Sequence, residues 1–411
     1  MAQDLRLPIP VAADPIAPGA QESGSDCCDH GALVPIDIAF EKGLALAKPV
    51  AESESLPLMQ VTGRVLADTI TTPIPLPPFD NAAMDGYGMR TTDLEGDPPY
   101  TLAVEQRVAA GDDGILPAEL APGSALRILT GAPVPQGINA VVMQEHCTKR
   151  GQSIELARRP VPGENIRRQG EDCRQGRKII AKNTLIDSRH TALLAAIGMP
   201  VVNVHRRVRV AFFSTGSELR QPGQSLAAGQ IYNSNRFMLA SQLQAPHIDW
   251  LDLGAVPDEP EQLGDALDKA ARFADLVMTT GGVSVGDEDH MPHLVRQAGG
   301  EIHVMKVAIK PGKPLMIGTI GKTIYIGLPG NPVAAFVNCL LIVDPIIRKL
   351  AGLGSRRPQM RTVTADFARA RRPGRQEYIP AQIVGQSEDE PMLVKAFQKA
   401  GSATLMPLAE A

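Results

Sequence analysis

The chain has 411 residues, enough for two to four domains, and a hydrophobic share of 44%, ample for buried cores. Its net charge of −4 and aromatic share of 4% argue against nucleic acid, which calls for a basic footprint and stacking platforms. Five cysteines without a C-x-x-C pair and eight scattered histidines fit a reducing, cytoplasmic setting rather than a disulfide framework or a zinc site.

Residues 1–34 are rich in Pro, Ala, Ser and Asp without periodicity and read as a disordered tail. No apolar signal-peptide core stands at the start, and the longest apolar run, 333–343, is too short for a membrane span. Ile36, Phe40 and Leu44 recur every four residues and predict a short amphipathic helix. Residues 56–68 read as a strand and a helix, followed by a proline-rich connector over 72–78.

The segment 78–90 places Asp80, Asn81, Asp85 and Gly86 close together. Asp-Gly is an ordinary turn signal, so Asp85 reads either as a turn residue or as a functional acid. Residues 91–157 hold short β-prone runs at 100–104, 125–129, 140–144 and 153–157, separated by Gly and Pro, and predict a small, mostly β domain. Thr130 opens a Gly-Pro turn after one of these runs. The stretch 165–172 is polar and of mixed charge. It is a solvated loop by default, an anion site if its arginines act, or a metal site if Asp172 does. Residues 184–197 look helical.

From Arg206 the pattern becomes alternating strands and helices, which implies a parallel sheet with crossover helices. Val208, Val210 and Phe212 mark one strand, which runs into Ser214-Thr215-Gly216-Ser217-Glu218. Leu263, Leu267, Ala270 and Ala274 mark a helix. Asp258 precedes Pro260, where it reads as a helix cap or as a site acid. Leu276, Val277 and Met278 form a strand without polar positions, as in the middle of a parallel sheet. Gly281, Gly282 and Ser284 follow it, then Asp287, Glu288 and Asp289. The glycines read either as a plain turn or as an anion site, since they let backbone N–H groups approach an anion and ligands of open α/β sheets bind beyond the strand ends. Acids at that place would hold a metal bound to the anion.

Residues 304–310 read as extended, with Lys306 and Lys310 on one face beside Ala308. Two lysines on one sheet face are unusual unless that face meets an anion. A hairpin over 314–326 leads into Gly330, Asn331 and Pro332. Asn331 is expected as N-cap of a helix whose free N–H groups could receive an anion. Residues 357–411 hold an arginine-rich link and strands near 362–367, 376–384 and 392–396, which suggest a small β domain. Together these features suggest a site for a phosphorylated or oxyanionic ligand with a divalent cation.

Eight stretches, FDNAAMDGYGMR (79–90), TGAPVPQGINAVVMQE (130–145), NIRRQGED (165–172), 214–218, QIYNSNR (230–236), 280–289, AIKPGKP (308–314) and GLPGNPV (327–333), resemble the molybdopterin molybdenumtransferase family in its own order. These enzymes, also called molybdenum insertases, are related to the gephyrin C-terminal domain. The resemblance covers roughly residues 35–400. It implies a multidomain α/β plus β fold. An elongated linker and dimerisation domain (53–70 and 170–204) and a small β-rich domain (71–169) join an α/β molybdopterin-binding domain (35–52 and 205–356). A C-terminal β-barrel-like domain (357–411) would be incomplete, since relatives continue with further strands.

The resemblance implies a cytoplasmic homodimer with sites shared between subunits. It also implies Mg²⁺, the substrates adenylylated molybdopterin and molybdate, and transient contact with the adenylylating enzyme. Asp85, Thr130, Asp172, Glu218, Asp258 and Asp289 match catalytic positions of the family, with Glu218 and Asp289 as metal ligands. Lys306, Lys310, Arg375, Gly281, Gly282, Ser284, Gly330 and Asn331 match substrate-binding positions. Ser217 and Asn233 stand where many relatives carry Asp, and Ala334 where Ser is common. An interaction scaffold of the same fold and a metal-dependent nucleotide hydrolase are the rival readings.

Overall fold

The computed structural model describes residues 33–115, 120–283, 289–370, 373–385, 391–398 and 400–411. The expected tail falls almost wholly outside them. The expected helix forms at Ile36–Leu46, and its buried Ile36, Phe40 and Leu44 pack onto the α/β domain.

That domain is built on six strands: β1 (Val208–Thr215), β2 (Ile248–Val256), β3 (Leu276–Thr280), β4 (Glu301–Lys306), β5 (Pro314–Ile320) and β6 (Thr323–Leu328). They lie in the order β2-β1-β3-β6-β5-β4. The first four of that order run parallel, and β5 and β4 close the sheet antiparallel. Alternation along β1 sends Val210 and Phe212 into one core and Ala211 and Phe213 into another. Helices Ser234–Gln242 and Pro332–Asn338 cover the first face, and Pro260–Phe273 and Met291–Gln297 the second. A strand buried on both faces favours apolar side chains, which is why β3 begins Leu-Val-Met, and its buried Thr279 and Thr280 are both hydrogen-bonded. The apolar run 333–343 becomes buried helix in this layer, and no helix among the described residues is long and apolar enough to cross a membrane.

Residues 56–68 do not form the expected strand and helix. Strand Ser53–Pro57 pairs antiparallel with Val201–His205, and only a single 3₁₀ turn, Leu58–Gln60, follows. Gly63 then takes φ +77°, which ends any helix, and Val65 and Leu66 bridge to Leu185 and Val204. The helix expected over 184–197 is shorter, Ser188–Ala196, because Asp187 caps it by accepting the Arg189 and His190 N–H groups at 2.9 and 3.1 Å. These elements share a core of Val61, Leu66, Ile186, Leu194 and Val204.

The β-rich part forms a second six-stranded sheet that includes Gly86–Met89, Tyr100–Val108 and Ser124–Ile128. The stretch 165–172 is not merely a solvated loop. Ile166–Arg167 pairs with Asn81–Ala82, and Asp80 accepts from Arg168 at 2.6 Å and from the Gln169 N–H at 2.7 Å. After residue 357 four strands are described where three were expected, and they are shorter. Thr364–Ala365, Leu393–Ala396 and Ala381–Gly385 make one three-stranded sheet, and Gln376–Glu377 pairs with Ile309–Lys310. A final helix, Leu405–Ala409, was not anticipated.

The Tyr325 hydroxyl lies 2.7 Å from Thr279 Oγ1, both side chains fully buried between β6 and β3. Tyr325→Phe strands the threonine hydroxyl and costs about 1–3 kcal/mol. Urea unfolding of the two proteins measures this loss.

Candidate active site

The carboxyl ends of β1, β3 and β6 open into a cleft of about 880 Å³, within the size range of small-molecule sites. Gly281 and Gly282, at φ +89° and +63°, form its floor turn after β3. A Cβ on Gly281 would lie 2.6 Å from Thr215 Oγ1, so only glycine lets the two strand ends come this close. Gly330 and Asn331 line the cleft next to this turn, where a Cβ on Gly330 would lie 3.9 Å from Gly281 Cα, and the Gly330 carbonyl is fixed by Asn235 Nδ2 at 2.7 Å. Ser284, Asp287 and Glu288 lie outside the described residues.

Two acids named from the sequence line the cleft, Glu218 and Asp289. Glu218 is exposed, its carboxylate stands over Gly216, and it has no side-chain hydrogen bond among the described residues. Lys310 and Arg375 line the cleft as well, and so do three charged residues the sequence reading left out, Lys313, Arg369 and Glu377. Lys310 Nζ lies 2.7 Å from Glu377, which also accepts from Arg369 at 2.9 Å. Lys313 sits inside a recognised motif and could have been singled out. Arg369 and Glu377 gave no periodic or spacing signal, because a distant strand pairing brings them here.

Several expectations change. Lys306 and Lys310 do not share one continuous strand: β4 ends at Lys306, and Ile309–Lys310 pairs separately with Gln376–Glu377. Lys306 is half-buried and is not among the cleft-lining residues. Asn331 occupies the N-cap position of Pro332–Asn338, but its side chain makes no cap bond. The Val333 N–H is not free either, since it donates to the Ser402 carbonyl at 3.0 Å. Asp258 does not cap its helix, whose N-cap is Glu259. It accepts the Ser217 N–H at 3.2 Å while its own N–H donates to Ser217 Oγ at 3.3 Å. Ser217 thus serves Asp258 where a second acid would repel it.

Asn233 is buried at the N-terminus of Ser234–Gln242, accepting from the Arg236 N–H at 3.2 Å and from Ser214 Oγ at 3.3 Å. Asn233 and the buried Ala334 both line the cleft.

Asp85 and Thr130 form a second constellation, in the β-rich domain. Asp85 Oδ1 accepts from Thr130 Oγ1 at 2.6 Å and from its N–H at 2.7 Å. The hydroxyl bond, then the backbone bond, hold the Asp85 carboxyl below its ordinary range. Gly86 follows in a strand where a Cβ would strike the Val142 carbonyl, so the Asp-Gly pair is a packing requirement as well as a turn signal. Asp172 is exposed, with its N–H donating to the Leu76 carbonyl at 3.0 Å. None of Asp85, Thr130 and Asp172 lines the cleft within this chain.

Residues 34–198 match the model of the MoeA N-terminal region (domain I and II), and residues 211–349 match a probable molybdopterin binding domain. The molybdopterin molybdenumtransferase of Haemophilus influenzae is 38% identical over 321 residues, 78% of this chain and 78% of its own. The chain belongs to the molybdopterin molybdenumtransferase family. A Nostoc sp. molybdenumtransferase is 39% identical over 308 residues, 74% of this chain and 70% of its own. A crystal structure of a molybdopterin biosynthesis MoeA protein from Pyrococcus horikoshii shares the multidomain fold at a TM-score of 0.77 and 29% identity, covering 92% of this chain and 93% of that one. In this chain the probable molybdopterin-binding match includes both glycine turns of the cleft, together with Glu218, Asp289 and Lys310.

Arg369, then Lys310, pull the Glu377 carboxyl down to about 2. A depressed carboxylate stabilises the fold fully above its ordinary value near 4.5 and loses that stabilisation as pH falls toward about 2. Glu377→Gln therefore flattens the acid limb of the melting temperature below pH 4.5 while leaving the profile's shape at neutral pH unchanged. Melting curves across the acid range read this directly.

Proposed function

We propose that the protein is a molybdenum insertase of molybdenum cofactor biosynthesis. It takes adenylylated molybdopterin and molybdate, hydrolyses the adenylate, places molybdenum at the dithiolene sulfurs, and releases molybdenum cofactor and AMP. The observation that carries this reading is the cleft at the carboxyl ends of β1, β3 and β6. There, four basic and three acidic side chains face glycine turns in a chain of this family.

Lys310 supplies a point charge for molybdate or the phosphate, and Arg375 a planar fork. The floor turn at Gly281 and Gly282 lets the phosphoanhydride approach the backbone without meeting a side chain. Lys306 stands outside the lining and acts, on this reading, only through its charge. Glu218 and Asp289 fit a magnesium ion, which commonly takes one or two carboxylates and fills its shell with water and substrate phosphate. The described residues contain no cluster of three or more His, Cys, Asp or Glu, so substrate oxygens are needed to complete that shell. When bound, the ion would neutralise charge on the phosphoanhydride. Glu218, without a side-chain partner among the described residues, is also placed to orient the attacking water.

Asp85, Thr130 and Asp172 act from a second subunit. Their place outside the cleft in one chain supports a homodimer in which the β-rich domain of one copy completes the site of the other. Asp258 holds the Ser217 turn beside Glu218 and so positions that acid. The enzyme is cytoplasmic, and a transient contact with the adenylylating enzyme delivers its substrate.

The deciding measurement is AMP release from adenylylated molybdopterin with Mg²⁺, with and without molybdate. Molybdate-stimulated release with molybdenum retained on the pterin is expected, and Lys310→Ala lowers it by roughly 10- to 100-fold, the scale of a lost charge-assisted contact to an oxyanion. Release indifferent to molybdate would make the protein a general nucleotide hydrolase. No release from folded dimer would make it a scaffold.

The shared site has its own test. Mixed Asp85→Asn and Lys310→Ala subunits should recover about a quarter of native activity, since half the dimers are hybrids and each hybrid holds one intact site. A mixture no more active than its parents places both residues in sites within single chains.

A further inference from the structure

The lysine assigned to the oxyanion already has a carboxylate partner. Lys310 Nζ lies 2.7 Å from Glu377 Oε1. The same carboxylate receives Arg369 Nη2 at 2.9 Å on Oε1 and Nε at 3.1 Å on Oε2. One carboxylate thus engages two of the four cations that line the cleft. Its two oxygens meet a lysine and an arginine fork, the set of donors that a tetrahedral oxyanion would take.

Backbone pairing makes this arrangement specific. Lys310 stands opposite Glu377 in the parallel register of Ile309–Lys310 with Gln376–Glu377. The Gln376 N–H donates to the Ala308 carbonyl and the Tyr378 N–H to the Lys310 carbonyl, both at 2.8 Å. The Glu377 side chain is 12% exposed and held by two cations, whereas that of Lys310 is 54% exposed, which leaves it room to turn toward a ligand. Arg375, two residues earlier, lines the same cleft and has no ion-pair or hydrogen-bond partner among the described residues.

Resting on the oxyanion reading of the cleft, we propose that Glu377 is a resident counter-ion of the anion site, competing with the incoming oxyanion for Lys310 and Arg369. Binding then exchanges one carboxylate for the ligand. A singly charged anion gains little from that exchange. A tetrahedral dianion such as molybdate, or a phosphate ester, offers more charge and more acceptors and can displace it. Glu377 therefore weakens anion binding in general and favours doubly charged oxyanions. It is a specificity residue rather than a catalytic one.

Titration calorimetry of the full chain with sodium molybdate tests the proposal. Glu377→Gln keeps shape and removes charge, and should bind molybdate about threefold to tenfold more tightly, the scale of one or two partly exposed ion pairs. In a Lys310→Gln background the same change should move the affinity by less than half as much. A purely structural role predicts the opposite sign, because an unanchored Lys310 binds more weakly. Weaker or unchanged affinity in Glu377→Gln overturns the counter-ion. Lys310→Gln binding molybdate as well as the native chain overturns the oxyanion reading itself. If circular dichroism shows that Glu377→Gln does not fold, Glu377→Asp draws the charge back by one methylene. It should bind up to about threefold more tightly than the native chain, and no gain overturns the counter-ion there as well.

Discussion

Parallel pairing of β1, β3 and β6, buried on both faces, is the constraint on which the rest of this molecule depends. The buried stretches of these strands carry no charge, so the charged residues of the cleft sit beyond the strand ends. Thr215, Thr280 and Leu328 are the last residues of the three strands, and the Gly281 N–H reaches the Leu328 carbonyl at 3.1 Å. This bond ties the floor turn to the neighbouring strand. The glycine turn is therefore held by the sheet itself and does not wait for a ligand to order it.

A second constraint acts through the chain beyond residue 357. Its short strand Gln376–Glu377 adds to Ile309–Lys310, and the Ser402 carbonyl takes the N–H of Val333. Both contacts fall on the cleft wall. They bring Arg369, Arg375 and Glu377 beside a lysine that lies roughly sixty positions earlier in the chain. The carboxyl-terminal segment is thus a working wall of the cleft, and its charges set the balance between basic and acidic side chains there.

These two constraints explain what could be read from sequence and what could not. Buried strands and amphipathic helices carry their periodicity within one segment, so β1, β3 and the helices at Ile36–Leu46 and Pro260–Phe273 were legible from residues alone. The Gly281–Gly282 turn was legible because its position after an apolar strand says where a ligand could go. The 56–68 segment misled because Val65 and Leu66 are buried by bridges to the distant Leu185 and Val204, which a local pattern does not show. Lys306 misled because a two-residue period assumes an unbroken strand, and this one breaks before Ile309. Glu377 was invisible for a related reason: an acid near an arginine-rich link reads as a solvated charge until a parallel pairing sets it against Lys310.

Family motifs carried the assignment further than periodicity could, and the structure shows what some of the departures do locally. Serine at 217 exchanges two hydrogen bonds with Asp258 in a turn where a second carboxylate would repel the first. Asparagine at 233 caps its helix and still accepts from Ser214, both of which an aspartate would also do, but without adding negative charge to a buried position near the cleft floor. Relative to an aspartate, asparagine at 233 leaves one fewer negative charge in the cleft lining, and serine at 217 one fewer at the position before Glu218. Fewer fixed negative charges weaken cation binding and favour oxyanions nearby. The departures and the Glu377 pairing therefore act in opposite directions on anion affinity, the first raising it and the second restraining it. Lys310 stands where the two effects meet.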